Sequence, residues 1–217
     1  MDLGLWLAFA AASAVLVAIP GPTVLLVVGF ALGEGRRSVP PATAGVALGD
    51  LIATSVSLAG MGAVLAASAT LYTAVKWAGA AYLVWLGVKM WREAGGAEAG
   101  RALARRAPTR ALARPAPTRA RMFRQAFLVT LLNPKALVFF VAFAPQFIDP
   151  AQGYARQAAI LVATFTVLGA LNAALWGLAA GEMRARAARP GVMTWLARLG
   201  GAGLVGAGAL TALSRRA

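Results

Sequence analysis

Asp50 and Lys135 are ionisable side chains standing inside long apolar stretches of this chain. A carboxylate or an ammonium placed there needs a partner or a task. The 217 residues contain no cysteine and no histidine. That excludes thiol nucleophiles, disulfides, imidazole metal ligands and Ser-His-Asp hydrolysis together. Chemistry is left to carboxylates, amines, amides and hydroxyls. Lys135 sits in the run Asn133-Pro134-Lys135, and a second proline break, Pro20-Gly21-Pro22 followed by Thr23, lies in the first apolar stretch. Proline removes a backbone donor and clashes with the preceding turn, freeing carbonyls and amides that hydrocarbon cannot satisfy. Such backbone, with Asp50, Lys135 and the amide of Asn172, can line a polar site, because a half-helix N-terminus near Gly21 and Thr23 and the Lys135 ammonium both favour negative charge, while the Asp50 carboxylate favours positive charge. A lone proline is more often a packing kink, and Asn133 could simply cap a helix restarting at Pro134. Two matched breaks favour a binding site, with the breaks facing each other across a central polar cavity.

Membrane-spanning helices must position these groups. Hydrophobic residues make up 60% of the chain and charged ones 13%, outside the usage of soluble domains. Stretches long enough to cross roughly 30 Å of hydrocarbon fall at 3–32, 42–69, 71–90, 123–148, 158–180 and 192–213. They predict an all-α membrane protein of six transmembrane helices, TM1 to TM6, in a single transporter domain over 1–217. The first stretch is too long for a signal peptide, and Met1-Asp2 lacks a basic start, so TM1 is expected to be retained. At about 1.5 Å per residue from the inner ends, Asp50 lies about 13 Å deep and Lys135 about 18 Å, with Pro20, Pro22 and Asn172 in the same layer.

Internal similarity divides the six helices into two halves. Lys76-Trp77-Ala78-Gly79-Ala80 opens TM3 and Arg198-Leu199-Gly200-Gly201-Ala202 opens TM6, and the same interval separates Asp50 from Asn172. An odd number of crossings per half inverts the second, so the prediction is two inverted three-helix repeats with TM1 and TM4 broken. The glycine-rich run Gly200-Gly201-Ala202-Gly203 is read as close helix packing, without chemistry.

The net charge of +14 is concentrated between helices. The TM3–TM4 connection runs from Arg92 to Arg124 with many arginines and only Glu93 and Glu98 against them, and it repeats Ala107-Pro108-Thr109-Arg110 as Ala116-Pro117-Thr118-Arg119. No aromatic residue stands between Trp91 and Phe123 for a base to stack on, so 92–122 reads as a disordered basic cytoplasmic loop and not as a nucleic-acid site. Arg36, Arg37, Arg184, Arg186 and Arg189 mark the other inner loops, which places both termini in the periplasm.

Several stretches carry a resemblance: Ala18-Ile19-Pro20-Gly21-Pro22-Thr23, Gly45-Val46-Ala47-Leu48-Gly49-Asp50, Gly79-Ala80-Ala81-Tyr82-Leu83-Val84-Trp85-Leu86-Gly87, and in TM4 Phe123-Arg124-Gln125-Ala126-Phe127, Asn133-Pro134-Lys135-Ala136 and Phe139 to Phe147. In this order they resemble the LysE/RhtB family of bacterial amino-acid exporters, which includes transporters of homoserine, threonine and homoserine lactones. The Arg-rich loop and TM5 depart from a recognisable pattern. The resemblance implies efflux of small amino-acid-like solutes across the inner membrane, driven by an ion gradient.

The expected function is therefore a secondary-active, proton-coupled exporter, not an enzyme. Its substrate-binding residues are expected to be Pro20, Gly21, Pro22, Thr23, Asp50, Asn133, Pro134, Lys135 and Asn172. The expected partners are the solute, the bilayer and protons. A homo-oligomer is compatible with the sequence, and no cofactor, metal or nucleic acid is expected. Two rivals stand beside it: a membrane-embedded enzyme using Asp50 and Lys135 as acid and base, and a metal or cation exporter, which would want clustered carboxylates. The topology is tested by single cysteines at Thr109 and Ser214. An impermeant maleimide added to intact cells should label the second alone, and labelling at Thr109 alone would invert the assignment.

Overall fold

The computed structural model describes residues 1–94, 116–149 and 151–183. TM6, most of the basic loop and Ser214 fall outside these residues. Every regular element described is helical, as long apolar stretches in hydrocarbon require of backbone that must satisfy itself.

Helix α1 spans Leu3–Ala18, and the Asp2 carboxylate caps it by accepting from the Leu5 amide at 3.0 Å. Its end is set by Pro20, which disfavours helical backbone in the residue before it. Ile19 is accordingly extended, at φ −65° and ψ 120°. Gly21 is extended too, and α2 (Pro22–Glu34) starts with proline at its first position, where no amide is needed. TM1 is thus broken at Pro20-Gly21-Pro22 as expected, into two helices joined by three non-helical residues. At the far end of α2, Gly35 takes φ 71°, a left-handed conformation natural to glycine, and reverses the chain through the turn Gly35–Ser38.

Helix α3 (Val39–Ala67) and α4 (Ala69–Ala94) correspond to TM2 and TM3. TM4 begins earlier than its apolar stretch. Helix α5 (Arg119–Leu131) starts where the Thr118 hydroxyl accepts from the Arg121 amide at 3.2 Å. Helix therefore enters the segment assigned to the loop from both sides, over Arg92–Ala94 and Arg119–Met122. TM4 breaks at Asn133, restarts as α6 (Pro134–Val138), widens into a π-turn over Phe139–Phe143 and tightens into a 3-10 turn over Ala144–Phe147. Helix α7 (Tyr154–Met183) is TM5. Among the described residues, three stretches are long and apolar enough to cross a membrane: Pro22–Val64, Arg119–Phe147 and Tyr154–Glu182. At 16 residues, or about 24 Å, α1 is shorter than a full span.

Packing centres on α3, which lies against α4, α5 and α7. A Cβ on Gly45 would stand 2.4 Å from the Phe123 carbonyl oxygen and one on Gly49 2.8 Å from the Thr130 Cβ, so only glycine lets α3 approach α5 this closely. On α7, Gly169, Ala173, Gly177 and Gly181 recur every fourth residue. Gly177 meets Val27 and Val39, and Gly181 meets Arg36. The opposite face of α7 exposes Val167, Leu171, Leu175 and Leu178, a surface suited to lipid tails. Near the N-terminal end of α1 a phenylalanine core forms from Phe9, Phe139, Phe140, Phe143, Phe147 and Phe165, with ring centroids of contacting pairs 4.8–6.1 Å apart. The π-turn supplies three of these rings.

Gly45→Ala should lower the stability of the purified protein by about 1–3 kcal/mol, because the added methyl meets backbone that cannot yield. Gly29→Ala, with nothing within 4 Å of its Cβ, should be neutral or gain up to about 1 kcal/mol. Thermal melts of both variants in detergent check the contrast.

Candidate functional site

The last turn of an α-helix leaves four carbonyls without intrahelical donors. At the end of α1, Leu16 and Ile19 are buried, so their carbonyls must be satisfied from other parts of the chain. The Lys135 ammonium donates to the Leu16 carbonyl at 2.9 Å and to the Ile19 carbonyl at 3.0 Å. The Asn172 amide, from α7, donates to the Val17 carbonyl at 2.8 Å. The end of α1 is thus held by a cation from TM4 and an amide from TM5. The cation also lies at the negative end of the α1 dipole, where positive charge is favoured.

The second break is organised around Asn133. Its side-chain oxygen accepts from the Lys135 amide at 3.2 Å, capping α6. Its Nδ2 donates to the Thr23 hydroxyl at 3.3 Å, and that hydroxyl lies 3.3 Å from the Thr130 hydroxyl. Thr23 follows the first break and Thr130 precedes the second, so these bonds tie the start of α2 to the end of α5. The two breaks face each other as the sequence implies, and what lies between them is the Lys135 side chain. A Cβ on Gly21 would sit 3.5 Å from the Lys135 Nζ, at ordinary van der Waals distance.

Asp50, on α3, is buried at 5% exposure. The Thr54 hydroxyl donates to its main-chain carbonyl at 2.7 Å. Its Oδ2 occupies the space that a side chain on Gly169 would fill, for a Cβ there would lie 2.2 Å away. Among the described residues the direct ion pairs are Arg36 with Glu182 and Arg37 with Glu34, both at the far end of α2. Asp50 therefore faces Lys135 from beyond direct ion-pair contact.

The structure brings Gly21, Thr23, Asp50, Asn133, Lys135 and Asn172 into one layer, with half-buried Pro20 at its edge. Pro22 and Pro134 are exposed, so their part is to break the helix. Sequence reasoning missed Thr130 and Gly169. Thr130 stands in the last turn before a proline break, where a hydroxyl can reach across. Gly169 belongs to the every-fourth-residue pattern of small side chains on α7, a signal present in the sequence but shared with glycines that only pack.

The sequence model of LysE type translocators matches residues 14–215. An uncharacterized membrane protein of Vibrio cholerae serotype O1 is 33% identical over 216 residues, covering 99% of this chain and all of the relative. A homoserine/homoserine lactone efflux protein of Salmonella typhi is 32% identical over 212 residues, 98% of each chain. A leucine efflux protein of Enterobacter sp. is 30% identical over 158 residues, 69% of this chain and 66% of that one. No solved structure matches.

Replacing Asn172 by leucine leaves the buried Val17 carbonyl without its donor at similar side-chain volume. The loss should be about 1–3 kcal/mol, measured by thermal melting against a Leu171→Ala control on the exposed face of the same helix.

Proposed function

The chain belongs to the LysE type translocator family, a family of membrane transporters, and from that premise we propose that it is a proton-coupled, secondary-active exporter of amino acids or close derivatives in the bacterial inner membrane. The observation that carries the reading is the convergence of two helix breaks, an ammonium and a carboxylate on one layer between α1, α3, α6 and α7. Unwound backbone in a membrane protein is tolerated where it lines a solute path, and ionisable residues inside spans mark such paths. The matched breaks in TM1 and TM4 support two inverted three-helix repeats, completed by TM6. The arginine distribution supports periplasmic termini.

The relatives named for efflux of homoserine or its lactone and of leucine point to solutes that share an α-ammonium, while a lactone has no free carboxylate. Recognition common to such solutes rests on the ammonium. In the proposed cycle a solute enters from the cytoplasm and sets its ammonium against Asp50. A proton from the periplasm neutralises Asp50 and weakens that attraction, the solute leaves, and loss of the proton to the cytoplasm resets the site. Lys135 is available to a solute that carries a carboxylate. Gly169 holds open the space in which the Asp50 carboxylate sits.

Proteoliposomes loaded with amino acids, with and without a pH gradient, test this. Asp50→Asn should abolish gradient-driven efflux while the protein still inserts and folds. Gly169→Ala, which displaces the carboxylate, should slow efflux by about tenfold or more, the equivalent of 1.4 kcal/mol or more in the transition state. Wild-type uphill efflux by Asp50→Asn would make Asp50 a structural residue and remove the proton-coupling reading. Product analysis of the same vesicles separates transport from an enzyme acting through the same groups.

A further inference from the structure

The Lys135 ammonium is bound in the manner of a ligand. Most buried lysines are neutralised by a carboxylate in contact, yet this one makes its two hydrogen bonds to main-chain carbonyls, those of Leu16 and Ile19. These carbonyls are free because α1 stops at Pro20, and they stand at the negative end of the α1 dipole. An ammonium has three donors. Two are used on the carbonyls, and Asp50 is buried in the same layer, against Gly169 on the helix that carries Asn172. Gly21 borders the seat without a side chain, and the Asn172 amide occupies the neighbouring Val17 carbonyl, which fixes where the seat ends. Two converging carbonyls, a helix dipole and a nearby carboxylate form a receptor for a primary ammonium, and the chain's own lysine fills it.

We infer that the broken end of α1, through the Leu16 and Ile19 carbonyls, is a primary-ammonium site of the exporter, and that Lys135 is an internal occupant which the ammonium of the solute displaces. The inference rests on the exporter reading for the identity of the displacing group, but the seat itself is a property of the fold. Once displaced, the Lys135 ammonium needs a new anionic partner, which a solute carboxylate provides where there is one and Asp50 provides for a lactone. Exchange of one ammonium for another keeps the carbonyls satisfied throughout. The empty transporter thereby avoids exposing unpaired backbone to hydrocarbon, and a molecule without an N–H-bearing cation cannot take the lysine's place.

Purified full-length Lys135→Ala in nanodiscs tests the seat directly. Its melting temperature should fall below that of the wild type. Methylammonium chloride at several times its dissociation constant should raise it by about 2–4 °C. Tetramethylammonium chloride at the same concentration, with equal charge but no N–H donor, should not, and the wild type, whose seat is filled, should not respond to either salt. If Lys135→Ala does not fold, Lys135→Met keeps the stem and is assayed in the same way. Equal responses to the two salts, or none to methylammonium, overturn the proposal. Solute efflux from wild-type proteoliposomes separates the two readings. Efflux without methylammonium selectivity leaves the exporter and removes the seat, while selectivity without efflux of any amino acid keeps the seat and removes the exporter.

Discussion

Hydrocarbon offers no hydrogen bonds, and each backbone group left unpaired inside it costs several kcal/mol. That constraint accounts for most of what surrounds the end of α1. Proline at position 20 ends the helix partway across the membrane, and the Leu16, Val17 and Ile19 carbonyls must then be met from elsewhere. Long side chains from two other helices reach them. To do so TM4 must be broken in register with TM1, so that Lys135 lies in the first turn of α6, and α7 must present Asn172 at the same level. A break that began as a local consequence of one residue type fixes the relative depth of three helices.

The packing around this layer follows from the same requirement. Side chains that must meet across helix axes need those axes close together, and the membrane supplies no hydrophobic drive to bring them in. Glycine substitutes by removing bulk: Gly45 and Gly49 bring α3 onto α5, and Gly169 brings α7 onto Asp50. The phenylalanine core lies beside the breaks, and the π-turn of Phe139–Phe143 that feeds it begins five residues after Pro134. The widened turn lets TM4 leave the polar layer and enter an apolar one within a short length of chain.

Much of this was legible in the residues. The all-helical fold and its apolar spans over Pro22–Val64, Arg119–Phe147 and Tyr154–Glu182 followed from apolar length, and the breaks followed from proline chemistry, because Pro20 and Pro134 act within a residue or two of themselves. The gathering of Asp50, Lys135 and Asn172 at one depth could be counted at a fixed rise per residue. Partnership could not be counted. Depth says that Lys135 and Asp50 share a layer, but whether an ammonium meets a carboxylate or a carbonyl depends on helix rotation and on a long flexible stem, which leave no periodic trace. The cap that starts α5 at Thr118 was obscured for a related reason. Its signal is a single hydroxyl in an arginine-rich, proline-containing repeat whose composition argues for a loop, and local capping outweighs that bias only from Arg119 onward. Thr23, Asn133 and Thr130 show both cases: the first two were found beside prolines, and the third was hidden among ordinary helical residues.

The uneven grip on the helices has a mechanical meaning. Helix α3 is held on one side by the close approach of Gly45 and Gly49 to α5, which admits no added atom, and on another by Gly169 of α7 against the Asp50 side chain. Helix α1 is fastened at its inner end by three hydrogen bonds from side chains that can swing, and the residues after it, Ile19 to Gly21, are already extended. Its other end is held differently, by Phe9 in the phenylalanine core and by Trp6 donating to Thr164. The two halves of α1 therefore answer to different forces, the first to close apolar packing and the second to hydrogen bonds that side chains can release and remake.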